Sequence, residues 1–328
     1  MRRIGLWGAP GSGKTTFLAA LNVAVIQSRE DLLIYGSDDE ATDFLAENTS
    51  MLTTQRMFPP ATQTLRPLSW ALHLPVQRTT KKKFGRQSTE TVTLQFNIDL
   101  VDAPGATFRS VPSAAAGGAG AALLFDDEES DAPSAPEEEI IDHLAGCDGI
   151  VFLFDPIRER SAGDAYEYFQ GTLLRIAQRR LGQGATVSPK LPQYLAVCVT
   201  KLDAPEVYRR AKMRGYKTFD QNDPYLFPRV GDEKAEQFFA ELCTGTDVGN
   251  ANLVMGAIGK FFMPTRVKYF ITSAIGFYLG SATRFREHDY QNALPDRDGV
   301  TRIRGQIHPI NVVEPLLWLG QCLSSLDG

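Results

Sequence analysis

The sequence predicts an α/β fold built on a mostly parallel, doubly wound sheet, and two observations carry that prediction. Short apolar runs alternate along the chain with segments of helical length, the pattern of strands covered by helices on both faces. The octet Gly8-Ala9-Pro10-Gly11-Ser12-Gly13-Lys14-Thr15 spells G-x-x-x-x-G-K-T, and it stands between the first apolar run and the first helical segment. A loop of this kind needs that context: strand before, helix after.

Six strands are predicted, over 3–7, 68–76, 91–101, 149–155, 193–199 and 267–272. Several are near-continuous apolar runs, as expected of strands buried on both faces. Helices are predicted over 14–27, 38–49, 138–145, 165–181, 232–243, 253–261 and 312–323. The last carries Pro315 in its first turn, where a missing N–H costs little. Runs 68–76 and 91–101, joined through a turn around Phe84-Gly85, are expected to form one antiparallel hairpin at the sheet edge. No internal repeat is present. The 328 residues read as a single elaborated domain, 1–328, with a helical insertion over 206–262. A second insertion, over 112–137, is Ala/Gly-rich and then acidic, with few core formers, and is expected to be disordered.

Charge and composition narrow the class. Eight acidic residues and no Lys or Arg lie between Ser113 and Glu139, so the net charge of −5 becomes +3 once those eight are set aside. At 43% hydrophobic and 22% charged the chain reads as globular. Cys147, Cys198, Cys243 and Cys322 are scattered without metal-ligand spacing, which fits buried thiols in a reducing cytoplasm. No apolar run approaches the roughly 20 residues that span a bilayer, and a first strand that leads straight into the glycine-rich loop is not expected to double as a signal peptide. His73, His143, His288 and His308 fall on different elements and predict no ligand cluster. The run Lys81-Lys82-Lys83-Phe84-Gly85-Arg86 reads as a solvated hairpin tip. There is no clear nucleic-acid or membrane signal.

The chemistry begins in the glycine-rich loop. Gly8, Ala9, Pro10, Gly11, Ser12 and Gly13 form a curl that cradles phosphates, with backbone N–H groups from every residue of it but Pro10. Lys14 reaches the outer phosphates, the Thr15 hydroxyl ligates Mg²⁺, and Thr16 follows on the helix, whose dipole adds to the anion site. Asp102-Ala103-Pro104-Gly105 closes a strongly apolar strand; Asp102 is placed to hold Mg²⁺ through water, and the Gly105 N–H to meet a γ-phosphate. Thr200-Lys201-Leu202-Asp203 ends another strand. An ionised Asp203 there accepts from guanine N1–H and N2–H₂, a donor pair adenine lacks, while the stem of Lys201 covers the base. After the last strand, Thr272-Ser273-Ala274 offers the Ala274 N–H to guanine O6.

These four motifs, in this order and each at a predicted strand end, resemble the Ras-like P-loop small GTPase superfamily. The likeness covers roughly 1–111, 138–205 and 265–326. Within it the chain is most similar to bacterial double-GTPase (paired GTPase) proteins, which share enlarged switch regions and the pattern Pro309-Ile-Asn-Val-Val-Glu-Pro-Leu-Leu-Trp318. The resemblance implies a P-loop NTPase fold with a Ras-like G domain. It implies GTP and GDP as ligands with Mg²⁺, and a protein effector or activating partner, including a second GTPase. It also implies a switch-I threonine on the metal, for which Thr62 is the first candidate and Thr64 the second; Lys14 and Thr62 are then the catalytic pair.

Two departures matter. Thr200 stands where the family usually has Asn, which weakens the expected bracing of the phosphate loop. Ala106 stands where Ras-type members place a water-orienting Gln, and a methyl group cannot position water. Slow hydrolysis is therefore expected unless Thr107, Arg109, Gln63 or a partner residue substitutes. A guanine-nucleotide-dependent module that does not hydrolyse, and an ATP-using P-loop enzyme such as a kinase, remain as alternatives.

Overall fold

Gly149-Ile150-Val151-Phe152-Leu153-Phe154 are buried without interruption, and they form the strand around which the molecule is layered. The computed structural model describes residues 2–28, 31–60, 66–81, 87–102, 135–182, 190–244 and 250–324. In chain order it contains β1 (Arg2–Gly8), α1 (Lys14–Gln27), β2 (Leu33–Gly36), α2 (Asp39–Ser50), β3 (Arg66–Lys81), β4 (Gln87–Asp102), α3 (Ala135–Ala145), β5 (Gly149–Phe154), α4 (Pro156–Ala162), α5 (Ala165–Gly182) and β6 (Tyr194–Val199). It continues through α6 (Pro205–Met213), β7 (Lys217–Phe219), β8 (Pro228–Val230), α7 (Asp232–Cys243), α8 (Ala251–Phe261), β9 (Val267–Ile271), β10 (Ala293–Pro295), β11 (Thr301–Ile303) and α9 (Glu314–Ser324).

The central sheet has the order β2-β3-β4-β1-β5-β6-β9. β1 lies parallel to both β4 and β5, and β5, β6 and β9 continue in parallel. The α/β class with a mainly parallel sheet is as predicted, but there are seven strands rather than six. The extra one is β2, antiparallel to β3 from Leu33 opposite His73 to Gly36 opposite Trp70. It escapes a periodicity reading because it has four residues and two of its apolar side chains, Leu33 and Tyr35, are 54% and 42% exposed. Its presence also moves the β3–β4 hairpin from the edge to the interior of the sheet. That hairpin is paired from Arg66 opposite Asp102 to Lys81 opposite Gln87, longer at both ends than its apolar core suggests.

Side chains alternate across the strands, so β5 feeds two cores at once. Ile150, Phe152 and Phe154 join Trp7 and pack on Phe169, Leu173 and Ile176 of α5 and on the apolar faces of α7 and α8. Val151 and Leu153 point the other way, toward Leu18 and Leu21 of α1 and Leu316 and Leu319 of α9. α1 is apolar on nearly every side because a third cluster receives its remaining residues: Ala19 and Val23 meet Leu52, Ile275, Ile303 and Ile307. Between β6 and β9 the chain forms α6, the two-stranded β7–β8 ribbon, α7 and α8, so this stretch is not helical throughout. Among the described residues no helix is long and apolar enough to cross a membrane.

Phe169 stands between Trp7, with centroids 5.0 Å apart, and Phe152, 4.6 Å away. Phe169→Ala is expected to cost about 3–5 kcal/mol in a urea titration. Leu181→Ala, on the exposed side of the same helix, is expected to stay within about 0.5 kcal/mol.

Candidate functional site

The glycine-rich loop is held by close packing at one end and by backbone conformation at the other. A Cβ at Gly8 would lie 2.6 Å from Ser12 Oγ and 2.8 Å from the Leu153 carbonyl oxygen. Gly11 and Gly13 have φ of +74° and +93°, the left-handed region that a side chain disfavours. Within the curl Ser12 N–H donates to Ala9 O at 3.0 Å, and Phe17 N–H to Gly13 O at 2.8 Å opens α1. Among the described residues no N-cap side chain bonds to that helix start and no acidic residue sits in its first turn, an arrangement that leaves the positive end of its dipole uncompensated by its own turn. Lys14 is 8% exposed and its Nζ donates to Gly8 O at 3.2 Å, which holds the ammonium at the loop.

A cleft of about 550 Å³ opens at this loop, on the side where the parallel strands end. Pro10, Gly11, Ser12, Gly13, Lys14, Thr15 and Thr16 form one end of it. Thr200, Lys201, Asp203 and Ala274 form the other, and Phe58-Pro59-Pro60 flank it. Three of the four sequence motifs thus meet in one cavity of ordinary ligand size. Gly8 and Ala9 stand behind the loop rather than in the lining. The backbone of Asp102 terminates β4 beside the end of β1. Its side chain, together with Thr62, Gln63, Thr64, Gly105, Ala106, Thr107, Arg109, residues 112–134 of the expected disordered insertion and residues 82–86 of the basic hairpin tip, lies outside the described residues; Ala135, Pro136 and Glu137, the end of that insertion, instead open α3.

Asp203 is nearly enclosed, and burial pushes its carboxyl up to about 6 despite the opposing help of a Ser273 hydrogen bond and the Lys201 charge. Ser273 Oγ donates to Asp203 Oδ1 at 2.5 Å and accepts from Gly276 N–H at 2.8 Å. Fully buried, Ser273 is a brace for Asp203 behind the wall, while its neighbour Ala274 reaches the cleft. Thr200 Oγ1 donates to Phe154 O at 3.2 Å, so this hydroxyl ties β6 to β5. Lys201 adopts a left-handed φ of 62° and sets its Nζ 2.6 Å from Asp155 Oδ2.

Asp155 was missed by the sequence reading. Its Oδ1 caps α4 by accepting from Ile157 N–H at 2.9 Å and Arg158 N–H at 3.1 Å, while Oδ2 meets Lys201. The signal was available: Asp followed by Pro156 at the first helical position is a helix start. Also unforeseen were Gln291, Ala293 and Thr301, which line the cleft from the β10–β11 hairpin. The turn residues Asp296-Arg297-Asp298-Gly299 mark that hairpin in the sequence.

A second polar group gathers away from the cleft, where Asp99, His143 and Cys147 bring their side-chain ligand atoms within 4.8 Å of one another. The sequence suggested no such grouping. Arg3 Nε donates to Asp99 Oδ2 at 2.6 Å and Ser69 Oγ to Oδ1 at 2.5 Å. Arg3 also lies 3.1 Å from His143 Nδ1; a guanidinium can only donate, so that nitrogen accepts and Nε2 carries the proton. Burial pushes the Cys147 thiol up to about 12. With the thiol protonated and His143 Nδ1 accepting from Arg3, the cluster acts as a polar tie between β1, β3, β4 and α3.

No family model matches the sequence, and no curated protein does. Among solved structures the chain is similar to Sup35 complexed with GMPPNP, at 12% identity over 83% of this chain and with a TM-score of 0.30; it spans 37% of that chain's length. It is similar to the Arl6 BBS3 small GTPase from Trypanosoma brucei with bound GppNp, at 10% identity over 99% of this chain and 98% of that one, with a TM-score of 0.36. A third similarity is to the signal recognition particle receptor SRb-GTP/SRX complex from Chaetomium thermophilum, at 12% identity over 86% and 94% of the two chains, TM-score 0.30. Likeness this remote adds nothing to what the residues of the cleft themselves say.

Proposed function

We propose that the cleft binds a guanine nucleotide with Mg²⁺ and that the protein is a GTP-dependent switch with slow hydrolysis. The observation that carries this reading is the pairing of a phosphate loop at one end of the cleft with the braced, buried carboxylate of Asp203 at the other. An acceptor-only group there suits the N1–H and N2–H₂ donors of guanine, and the Ala274 N–H is on the same wall for O6.

Lys14 and the loop N–H groups hold the outer phosphates and stabilise charge as it develops on them. The hydroxyl of Thr15, in the cleft, and the carboxylate of Asp102, at the end of β4, are hard oxygen donors of the kind Mg²⁺ takes, with Thr62 as the third. When bound, that ion neutralises phosphate charge. Gly105 donates to the γ-phosphate, and loss of that phosphate releases the Thr62 and Gly105 segments, which changes the surface offered to an effector. Ala106 supplies no group to orient water, so turnover is slow and assisted by a partner, a second GTPase being the reading that the paired-GTPase resemblance favours. In this view 1–328 is one elaborated G domain of a cytoplasmic protein. Ala106 equally favours a second reading, a nucleotide-dependent interaction module without turnover.

Calorimetric titration of nucleotide-stripped protein with GTP, GDP and ATP in Mg²⁺ tests the first claim. Guanine nucleotides are expected to bind well ahead of ATP, and Lys14→Ala to weaken GTP by about 10- to 100-fold through loss of a charge-assisted contact. Equal affinity for ATP would defeat the reading of Asp203. Single-turnover assays, with and without candidate partners, separate the switch from the module; no phosphate release under any condition leaves only the module.

The carboxyl of Asp203 also sets a pH dependence. The ionised form accepts from guanine, so GDP affinity is expected to be flat above about pH 7 and to fall about tenfold by pH 5, as the group protonates through about 6. Asp203→Asn removes this dependence and gains xanthine nucleotides at the expense of guanine ones.

A further inference from the structure

The wall of the cleft contributed by β10 and β11 is built into the site from two sides. Asn292, 1% exposed, donates through Nδ2 to Ile275 O at 3.0 Å and to Gln306 O at 3.1 Å, and its Oδ1 accepts from Gly305 N–H at 3.0 Å. His308 N–H donates to the same Ile275 carbonyl at 3.0 Å. The hairpin is thereby locked to the residue that follows Ala274. Gly276 makes the lock possible: its φ is +63°, and a Cβ there would stand 2.0 Å from His308 O.

On the other side the hairpin is stitched to the segment that leads into Phe58-Pro59-Pro60. Met57 forms an antiparallel bridge with Arg302, Ile303 N–H donates to Arg56 O at 3.0 Å, and Arg56 Nη1 donates to Arg304 O at 2.9 Å. Ile303 and Ile307 then pack with Ile275 against Ala19 and Val23 of α1. The turn is self-braced, with Asp296 Oδ1 accepting from Asp298 N–H and Val300 N–H, each at 2.9 Å.

From this scaffold Gln291 and Thr301 line the same cleft as Ala274, Ile275 and Thr16 of α1. A nucleotide that spans from the phosphate loop to Asp203 must lay its sugar between those ends. We infer that the β10–β11 hairpin is a nucleoside clasp, and that Gln291 and Thr301 are nucleotide-contacting residues that hydrogen-bond the ribose. Both side chains carry hydroxyl or amide groups suited to sugar hydroxyls, and the rigid root keeps them in place without the ligand. This rests on the guanine-nucleotide reading above and deepens it.

The test compares wild type with Gln291→Ala/Thr301→Ala in titrations with GDP, 2′-deoxy-GDP and inorganic pyrophosphate, with thermal unfolding as a folding check. Wild type is expected to prefer GDP over 2′-deoxy-GDP; the double variant is expected to bind GDP about tenfold more weakly and to lose that preference, with pyrophosphate unchanged. An unaltered GDP affinity in the variant would overturn the clasp while leaving the guanine reading intact. Equal weakening of GDP and pyrophosphate would overturn it too, because it would mark a general structural effect. If wild type binds neither GDP nor 2′-deoxy-GDP, the nucleotide reading itself falls. Asn292→Ala, which loosens the root and leaves both contact side chains in place, is expected to speed GDP release without shifting the choice between the two sugars.

Discussion

The turn from β1 into α1 is the constraint around which the rest of the molecule is arranged. It must reverse the chain within a few residues, leave backbone N–H groups pointing inward and start a helix that no side chain caps. Only glycine fits at Gly8, where Leu153 and Ser12 close in, and glycine is favoured at Gly11 and Gly13, where φ is positive. Such a turn stays rigid only if both of its arms are fixed. β1 is fixed by β4 and β5 on its two sides, and α1 by burial against the sheet, α2 and the Ile275–Ile303–Ile307 cluster. With β1 central and every parallel strand pointing the same way, the chain segments after β4, β5, β6 and β9 arrive at one edge. The cleft is where they arrive.

Around that edge the charges are organised in series. Asp155 finishes β5, caps α4 with one oxygen and holds Lys201 with the other. Lys201 in turn faces the region where Asp203 sits, and Ser273 reaches across from the end of β9 to the same carboxylate. Burial alone favours a neutral Asp203; the Ser273 hydroxyl and the Lys201 ammonium pull it back toward the charged form. These opposing influences meet at a carboxyl that lines the cleft.

Much of this was legible in the sequence. The glycine-rich octet declares a strand, a turn and a helix together, and α1 occupies 14–27 as predicted. The continuous apolar runs of β5 and β6 could belong only to strands covered on both faces. Placement of Thr200–Asp203 at a strand end followed from the second of these runs, and that of Ser273–Ala274 from the separate run that forms β9. What was not legible was either short or held by contacts distant in sequence. β2 shows no period because it has four residues and a half-exposed face. α4 and α6 are announced by Asp155-Pro156 and Ala204-Pro205, a capping signal rather than a hydrophobic one. The hairpin wall depends on Asn292, Gly305 and Arg56, whose partners lie 13 residues away for the first two and 248 for Arg56 and Arg304. No local pattern encodes such a meeting.

The position of β9 gives the two ends of the cleft unequal local stability. The glycine-rich loop springs from β1, which has strands on both sides, whereas Ser273 and Ala274 follow β9, whose one strand partner among the described residues is β6, with a single bridge from Ser273 to Ile310 beyond it. Ser273 and Asp203 are also 70 residues apart, so their bond closes a long loop that contributes no tether of its own. Fraying from the margin inward is the low-energy route of partial opening in a sheet. A fluctuation that detaches β9 therefore erases the carboxylate's brace and the hairpin's anchor while the glycine-rich turn keeps its shape. The Asp203 end of the cleft can therefore come apart before the glycine-rich end does.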